Sequence, residues 1–277
     1  MKIFDEIKKE LGKPYKDLEF LLICMQEVLV ENNEHELAEV IPWLNDSQDF
    51  SNKFPVDKYL HLFSLCYQLL NLVEVNGAVK ARRQKEDTDS LYAVNGLWGD
   101  SIKRLLDNGF DEKTILDSLG RTRIEPVLTA HPTEAKRATV LNNFRELSLL
   151  IVKRENHRYT CYEQINIREN IKNILHRLWH IGEIFVKKPD VTTELDNVIH
   201  YFVNVFPTIV PILDTRLKYT LEYFGLKQPE SHQYPKISFG NWVGGDRDGH
   251  PLVTPNITKL TLKKLRLNAF ELIKKHL

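Results

Sequence analysis

Apolar side chains return every three or four residues through most of this 277-residue chain, and that regularity restricts it to a fold built mainly of helices. From Asp57 to about Arg83 the stripe runs Leu62, Leu65, Cys66, Leu69, Leu72 and Val73. From about Glu163 to Lys188 it runs Ile167, Ile171, Ile174, Leu175, Leu178, Ile181 and Phe185, with Pro189 helping to stop the helix. The period continues from Thr193 to Tyr223, where Pro207 and Pro211 each remove a backbone donor and predict a kink or a split. Gly225 then suits a C-terminal cap.

Two short segments depart from this period. Pro126 to Ala130 and Lys236 to Val243 read as buried strands. Each is followed by polar or Gly-rich residues and then a helix start, marked by Thr133 in the first case and by Thr254 and Pro255 in the second. In parallel sheets the C-terminal strand ends and the loops after them form the site, so both loops sit where chemistry is placed. The polar stretches from Asp87 to Asn95 and from Lys227 to Pro235 read as loops, and no internal repeat or low-complexity linker is evident. The expected organisation is one helical body over 1–277, with a helical region over 1–120 and a strand-containing part over 121–277 that carries both site loops.

Charge excludes one class of function. Lys plus Arg and Asp plus Glu both number 38, so the formal net charge is zero and no global field favours nucleic acid. The first ten residues carry charges where a signal peptide needs an apolar run. The richest apolar stretch, Phe20 to Met25, is far short of the ~20 residues that span a bilayer, so neither export nor a membrane segment is expected. Cys24, Cys66 and Cys161 are odd in number and scattered, which suits packed thiols in a reducing compartment and predicts a cytoplasmic protein.

His131 ends the first strand just ahead of a helix whose first turns hold Lys136 and Arg137. A positive potential there favours neutral imidazole and attracts anions, which makes His131 a candidate base and Arg137 a candidate phosphate or carboxylate ligand. The alternative is that His131 and Pro132 merely turn the chain, the imidazole being bonded at a helix start. The second loop, Gly244-Gly245-Asp246-Arg247-Asp248-Gly249-His250-Pro251, sets glycines around two carboxylates and a guanidinium. Backbone amides there could approach a ligand closely, and Arg247 could grip an oxyanion bidentately. The alternative is a tight turn with Arg247 paired to Asp246 or Asp248. A calcium loop is disfavoured, because Ile257 stands at the twelfth position where Glu is needed. His176, His180 and Glu183 share a helical face that could ligate a metal, although such a spacing also fits a solvated or packed face.

Val127-Leu128-Thr129-Ala130-His131-Pro132-Thr133-Glu134 resembles the first signature of the phosphoenolpyruvate carboxylases, and Asn241-Trp242-Val243-Gly244-Gly245-Asp246-Arg247-Asp248-Gly249-His250-Pro251 resembles a second. Asn71 to Glu74 with the basic cluster Lys80 to Arg83, and Leu178 to His180 with Glu183, are weaker matches. The resemblance implies the N-terminal portion of a cytoplasmic, homotetrameric enzyme, dependent on Mg2+ or Mn2+, that joins bicarbonate to phosphoenolpyruvate and gives oxaloacetate and phosphate, feeding the tricarboxylic acid cycle. It implies a mainly α fold, the helix-rich part of a modified (β/α)8 barrel, with barrel strands near 126–130 and 236–243.

By the same resemblance His131 and Arg247 are catalytic, while Trp242, Gly244, Gly245, Asp246, Asp248 and Arg137 bind substrate. No metal ligand is expected in this chain: the metal-binding carboxylates, the second catalytic His and the phosphate-gripping arginines belong to the remaining C-terminal part. This segment alone is therefore expected to be inactive. Ala138 and Phe185 stand where the family commonly has Arg, which puts a sugar-phosphate effector site in doubt. The chain stops at Leu277 inside a helical pattern with no capping residue, which predicts a piece of a longer protein. Two other readings are an anion-binding or interaction module derived from the carboxylase, and a metal-dependent hydrolase using His176, His180 and Glu183.

Overall fold

A computed structural model describes residues 8–9, 12–44, 55–129, 138–156, 158–181, 190–246 and 251–276. Its helices are α1 (Lys13–Glu31), α2 (His35–Ala38), α3 (Val56–Thr88), α4 (Trp98–Asp107), α5 (Glu112–Arg121), α6 (Ala138–Arg154), α7 (Cys161–Ile181), α8 (Val191–His200), α9 (Phe206–Tyr223) and α10 (Pro255–His276). The strands are β1 (Arg123–Ile124), β2 (Val127–Leu128), β3 (Lys236–Ile237) and β4 (Gly240–Asn241). The expectation of a mainly α fold with two short parallel strand segments holds. The packing divides the chain into two units, one of residues 1–83 and 136–186, the other of residues 84–135 and 187–277.

The first unit is helical and shares one core. α1 buries Leu18, Leu21, Leu22, Met25, Val28 and Leu29, the i, i+3, i+4, i+7 face of an amphipathic helix. α3 adds Leu62, Leu65, Cys66, Leu69 and Val73, the predicted stripe apart from the half-buried Leu72. α7 adds Ile167, Ile171, Ile174, Leu175 and Leu178, and α6 adds Leu147 and Ile151. Each such aliphatic side chain stabilises the fold by about 1.5–3 kcal/mol relative to exposure. A Cβ on Gly77 would lie 2.4 Å from Pro14 Cγ, so α1 and α3 approach closely only because residue 77 has no side chain. Burial pushes the Cys24 thiol up to about 11 and that of Cys66 to about 12, which leaves both as inert core residues; Cys161 is exposed.

Charge pairs border this core. The buried Asp17 accepts a bond from Arg154 at 3.0 Å, and Glu155 bridges Lys13 at 2.8 Å and Lys80 at 2.6 Å. Arg168 pairs with Glu27, and Lys172 with Glu31 at 2.6 Å.

The second unit has smaller cores. α4, α5 and α9 enclose Ile102, Ile115, Leu116, Leu119, Leu217 and Leu221. α8 contributes Val191, Leu195, Val198 and Ile199 to a cluster with Val243 and Val253. Asp111 and Asp190 cap α5 and α8 by accepting from the Thr114 and Thr193 amides at 2.9 and 2.8 Å. The predicted split near Pro207 is a π-helical turn over Tyr201–Val205, closed by the Phe206 amide on the Tyr201 carbonyl. Pro207 follows at once, so widening the ladder re-spaces it where a donor is missing, and Pro211 is then carried inside α9. Gly225, in the left-handed region at φ 71°, follows the last turn as expected.

The four short strands form one parallel ribbon. The amides of Lys236, Ser238, Gly240 and Trp242 donate in turn to the carbonyls of Thr122, Ile124, Pro126 and Leu128 at 2.9–3.1 Å, the even slanted ladder of parallel pairing. The ladder is interrupted as strand at residues 125–126 and 238–239, where Pro126 has no amide to donate. The segments 126–130 and 236–243 were expected to be buried strands; instead Val127 is 40% exposed, and Leu128 and Ile237 are half-buried.

Other expectations change as well. α3 runs on to Thr88, into the stretch read as a loop from Asp87, and Ser231–Gln233 forms a 3₁₀ turn within the other predicted loop. Pro189 lies outside the described residues. The expectation that no segment is long and apolar enough for a bilayer is corrected, since the helical spans Val56–Thr88 and Val191–Tyr223 both qualify by length and composition. Neutral polar residues such as Gln68 and Asn204 break up the apolar runs in these spans without adding charge, which hid them. The first span buries its stripe in a protein core, as globular helices do; the second carries Pro207 and Pro211.

Candidate functional site

The last rung of the ribbon brings the two signature segments together. The Trp242 amide donates to the Leu128 carbonyl at 2.9 Å, so both strands end side by side and their loops leave at the same end. Leu128 packs against the cluster that holds Val243, Leu195 and Val253.

Beyond Trp242 the backbone is tightly specified. The Asn241 side chain brackets Val243, its amide donating to the Val243 carbonyl at 2.9 Å and its oxygen accepting from the Val243 amide at 2.9 Å. The Gly245 and Asp246 amides both donate to the Trp242 carbonyl at 3.0 Å. Those two amides are committed to the turn, so the glycines here serve turn geometry more than an open cradle. Gly244 is left-handed at φ 72°, and a Cβ there would meet Thr261 Oγ1 at 2.1 Å. Trp242 is 58% exposed, an unusual position for an indole. Gly245 and Asp246 are exposed too.

The structure thus places Trp242, Gly244, Gly245 and Asp246 on one turn at the strand ends. His131, Arg137, Arg247 and Asp248 lie outside the described residues. His176 and His180 face one another with ring centroids 4.5 Å apart, and His180 Nε2 is 2.9 Å from Asn32 Oδ1, while Glu183 lies outside the described residues. No group of three or more His, Cys, Asp or Glu gathers among the described residues.

Sequence reasoning missed three features. Thr261 supports Gly244 from seventeen residues away. Asn241 brackets the turn; an Asn at the end of a predicted strand was the available signal. The second unit also holds a cavity of about 790 Å³ lined by Trp98, Ile124, Leu213 and Ile237, with the Phe206 and Phe239 rings stacked 3.8 Å apart and an Arg216–Glu86 pair at 2.6 Å.

The model of the phosphoenolpyruvate carboxylase family matches residues 19–277. A phosphoenolpyruvate carboxylase of Methylorubrum extorquens is 29% identical over 249 residues, covering 89% of this chain and 26% of that protein. Phosphoenolpyruvate carboxylase 1 of Chlamydomonas reinhardtii is 36% identical over 245 residues, covering 86% of this chain and 24% of that protein. A phosphoenolpyruvate carboxylase of Tolumonas auensis is 30% identical over 275 residues, covering 96% of this chain and 29% of that protein. The chain spans about a quarter of the length of the relatives it matches. With both signature segments on adjacent parallel strand ends and the family model matched from residue 19 onward, the chain belongs to the phosphoenolpyruvate carboxylase family.

Proposed function

We propose that this chain is the N-terminal part of a cytoplasmic, homotetrameric enzyme that converts phosphoenolpyruvate and bicarbonate to oxaloacetate and phosphate. The observation that carries the reading is the Trp242–Leu128 rung, which starts both signature loops from one edge of the same ribbon. In this reading the ribbon belongs to a modified (β/α)8 barrel completed by the remaining part of the protein.

In the first step a bicarbonate oxygen attacks the phosphorus of phosphoenolpyruvate; the bond from phosphorus to the enol oxygen breaks, leaving carboxyphosphate and the enolate of pyruvate. His131, as neutral imidazole, takes the carboxyl proton, and carboxyphosphate separates into CO2 and phosphate. The enolate carbon then attacks CO2, forming the new carbon–carbon bond of oxaloacetate. Arg247 and Arg137 hold the anionic oxygens, Asp246 and Asp248 belong to the substrate-binding loop, and Trp242 forms an apolar wall. Water exclusion matters because protonation of the enolate gives pyruvate and ends carboxylation. The divalent cation of the family supplies charge neutralisation when bound; its ligands belong to the remaining part of the protein, and no step here is assigned to it.

The test is oxaloacetate formation by the complete protein from phosphoenolpyruvate and bicarbonate. A His131→Asn variant is expected to lose on the order of 10²- to 10⁴-fold in kcat, the usual contribution of a positioned base. Undiminished oxaloacetate formation by that variant contradicts the reading.

A further inference from the structure

We infer that Thr261 is the positioning residue for the Trp242–Asp246 turn, an inference that rests on the function proposed above. α10 has 22 residues, and Thr261 is its buried one among those described, at 4% exposure. Its side chain lies directly beneath the backbone of Gly244: a Cβ at 244 would stand 2.1 Å from Thr261 Oγ1, 3.1 Å from its Cβ and 3.3 Å from its Cγ2. The turn is therefore held from two sides. On its own strand the Asn241 bracket and the doubly accepting Trp242 carbonyl fix its shape. From the helix, the branched Thr261 side chain fixes its height.

Arg247 is the residue that follows this turn in sequence. The volume at 261 consequently sets the height of the turn from which the chain continues to Arg247. A longer side chain lifts the turn, and a shorter one leaves a gap into which Gly244 can sink. The contact is steric, so a valine of the same branched shape replaces threonine and an unbranched or larger residue does not. A shift on the order of 1 Å at a group that stabilises transition-state charge costs as much as 10²-fold in rate. Because the effect falls on the transition state, kcat drops with little change in KM.

The experiment compares Thr261→Leu, Thr261→Ala, Thr261→Val and Arg247→Ala in the complete carboxylase, reading kcat and KM for phosphoenolpyruvate together with the thermal midpoint. Thr261→Leu is expected to lose on the order of 10- to 100-fold in kcat, with Thr261→Ala between it and the parent. Thr261→Val should restore most of the turnover. If Thr261→Leu fails to fold, a second pair decides: Gly244→Ala should be impaired, and adding Thr261→Ala to it should recover part of the lost kcat. Thr261→Leu and Thr261→Ala turning over like the parent while Arg247→Ala is inactive would overturn the positioning role and leave the proposed function standing. A fall in thermal midpoint without a fall in kcat overturns it equally. A fully active Arg247→Ala would instead remove the reading on which it rests.

Discussion

The two units are built around cores of different size. In the first, stripes from α1, α3, α6 and α7 meet in one cluster, and Leu21, Met25, Leu62, Leu69 and Leu147 are all 1% exposed or less. In the second, a two-stranded ribbon leaves Ile124 and Val127 open, and α10 leaves Leu260, Leu262, Leu267, Phe270 and Ile273 exposed. Parallel strands occur almost only with both faces covered. The first unit reads as a self-contained core, and the second, which carries the signature loops, as a surface completed by the rest of the proposed enzyme. In this account the first unit supplies the larger core and the second carries the proposed site.

The largest expected contrast comes from one truncation in each unit. Leu21→Ala should destabilise the 277-residue chain by about 2–5 kcal/mol through lost burial and the cavity left behind. Leu267→Ala, on the exposed side of α10, should stay within ~0.5 kcal/mol in the same denaturant titration. Equal losses would break the contrast between the units.

A smaller effect is expected at the edge of the first core. Burial pushes the Asp17 carboxyl above the usual carboxylate range, and the Arg154 guanidinium offsets only part of this. A carboxyl raised in this way binds its proton more tightly when folded. Its contribution to stability is therefore fullest in acid and declines as pH rises through the folded value. Arg154→Ala should cost roughly 1–3 kcal/mol near neutral pH, and part of that loss should return in acid as Asp17 protonates. A loss that is the same at both pH values would show that packing of Arg154 over the Phe20 ring, 3.8 Å from its centroid, accounts for the effect.

The smallest is at Glu155. Burial raises this carboxyl, but the bonds from Lys13 and Lys80 outweigh it and hold the group below its usual range. Its contribution is present above the ordinary Glu range and is lost as pH falls through the lowered value. Glu155→Gln should remove about 0.5 kcal/mol at neutral pH, and the difference from the parent should vanish in acid. Thermal midpoints of the two proteins across this range supply the check.

The helices of the first unit were legible in sequence because one-sided burial leaves a 3.6-residue period: Leu62, Leu65, Cys66, Leu69 and Val73 of the predicted stripe are buried, and Leu72 is half-buried. The strand segments were legible because they break that period, and the turn because three glycines crowd together. What the period cannot carry is a partner. Arg168 finds Glu27 across 141 residues, and nothing local at either position marks the other. The exposure of Val127 was hidden for the same reason, since an apolar strand reads as buried whether or not its cover is present. Thr261 looked like an ordinary helical residue until the left-handed Gly244 was found seated on it. The turn was thus readable where its residues are contiguous, and unreadable where support arrives from another element.

Native-state amide exchange on the 277-residue chain tests the division of roles most directly. The account predicts that the slowest amides lie in α1 and α7, around Leu21–Leu29 and Ile171–Leu178, while those of Lys236, Ser238, Gly240 and Trp242 exchange orders of magnitude faster through local opening of an uncovered ribbon. Protection of the ribbon amides as strong as that of α7 would contradict it.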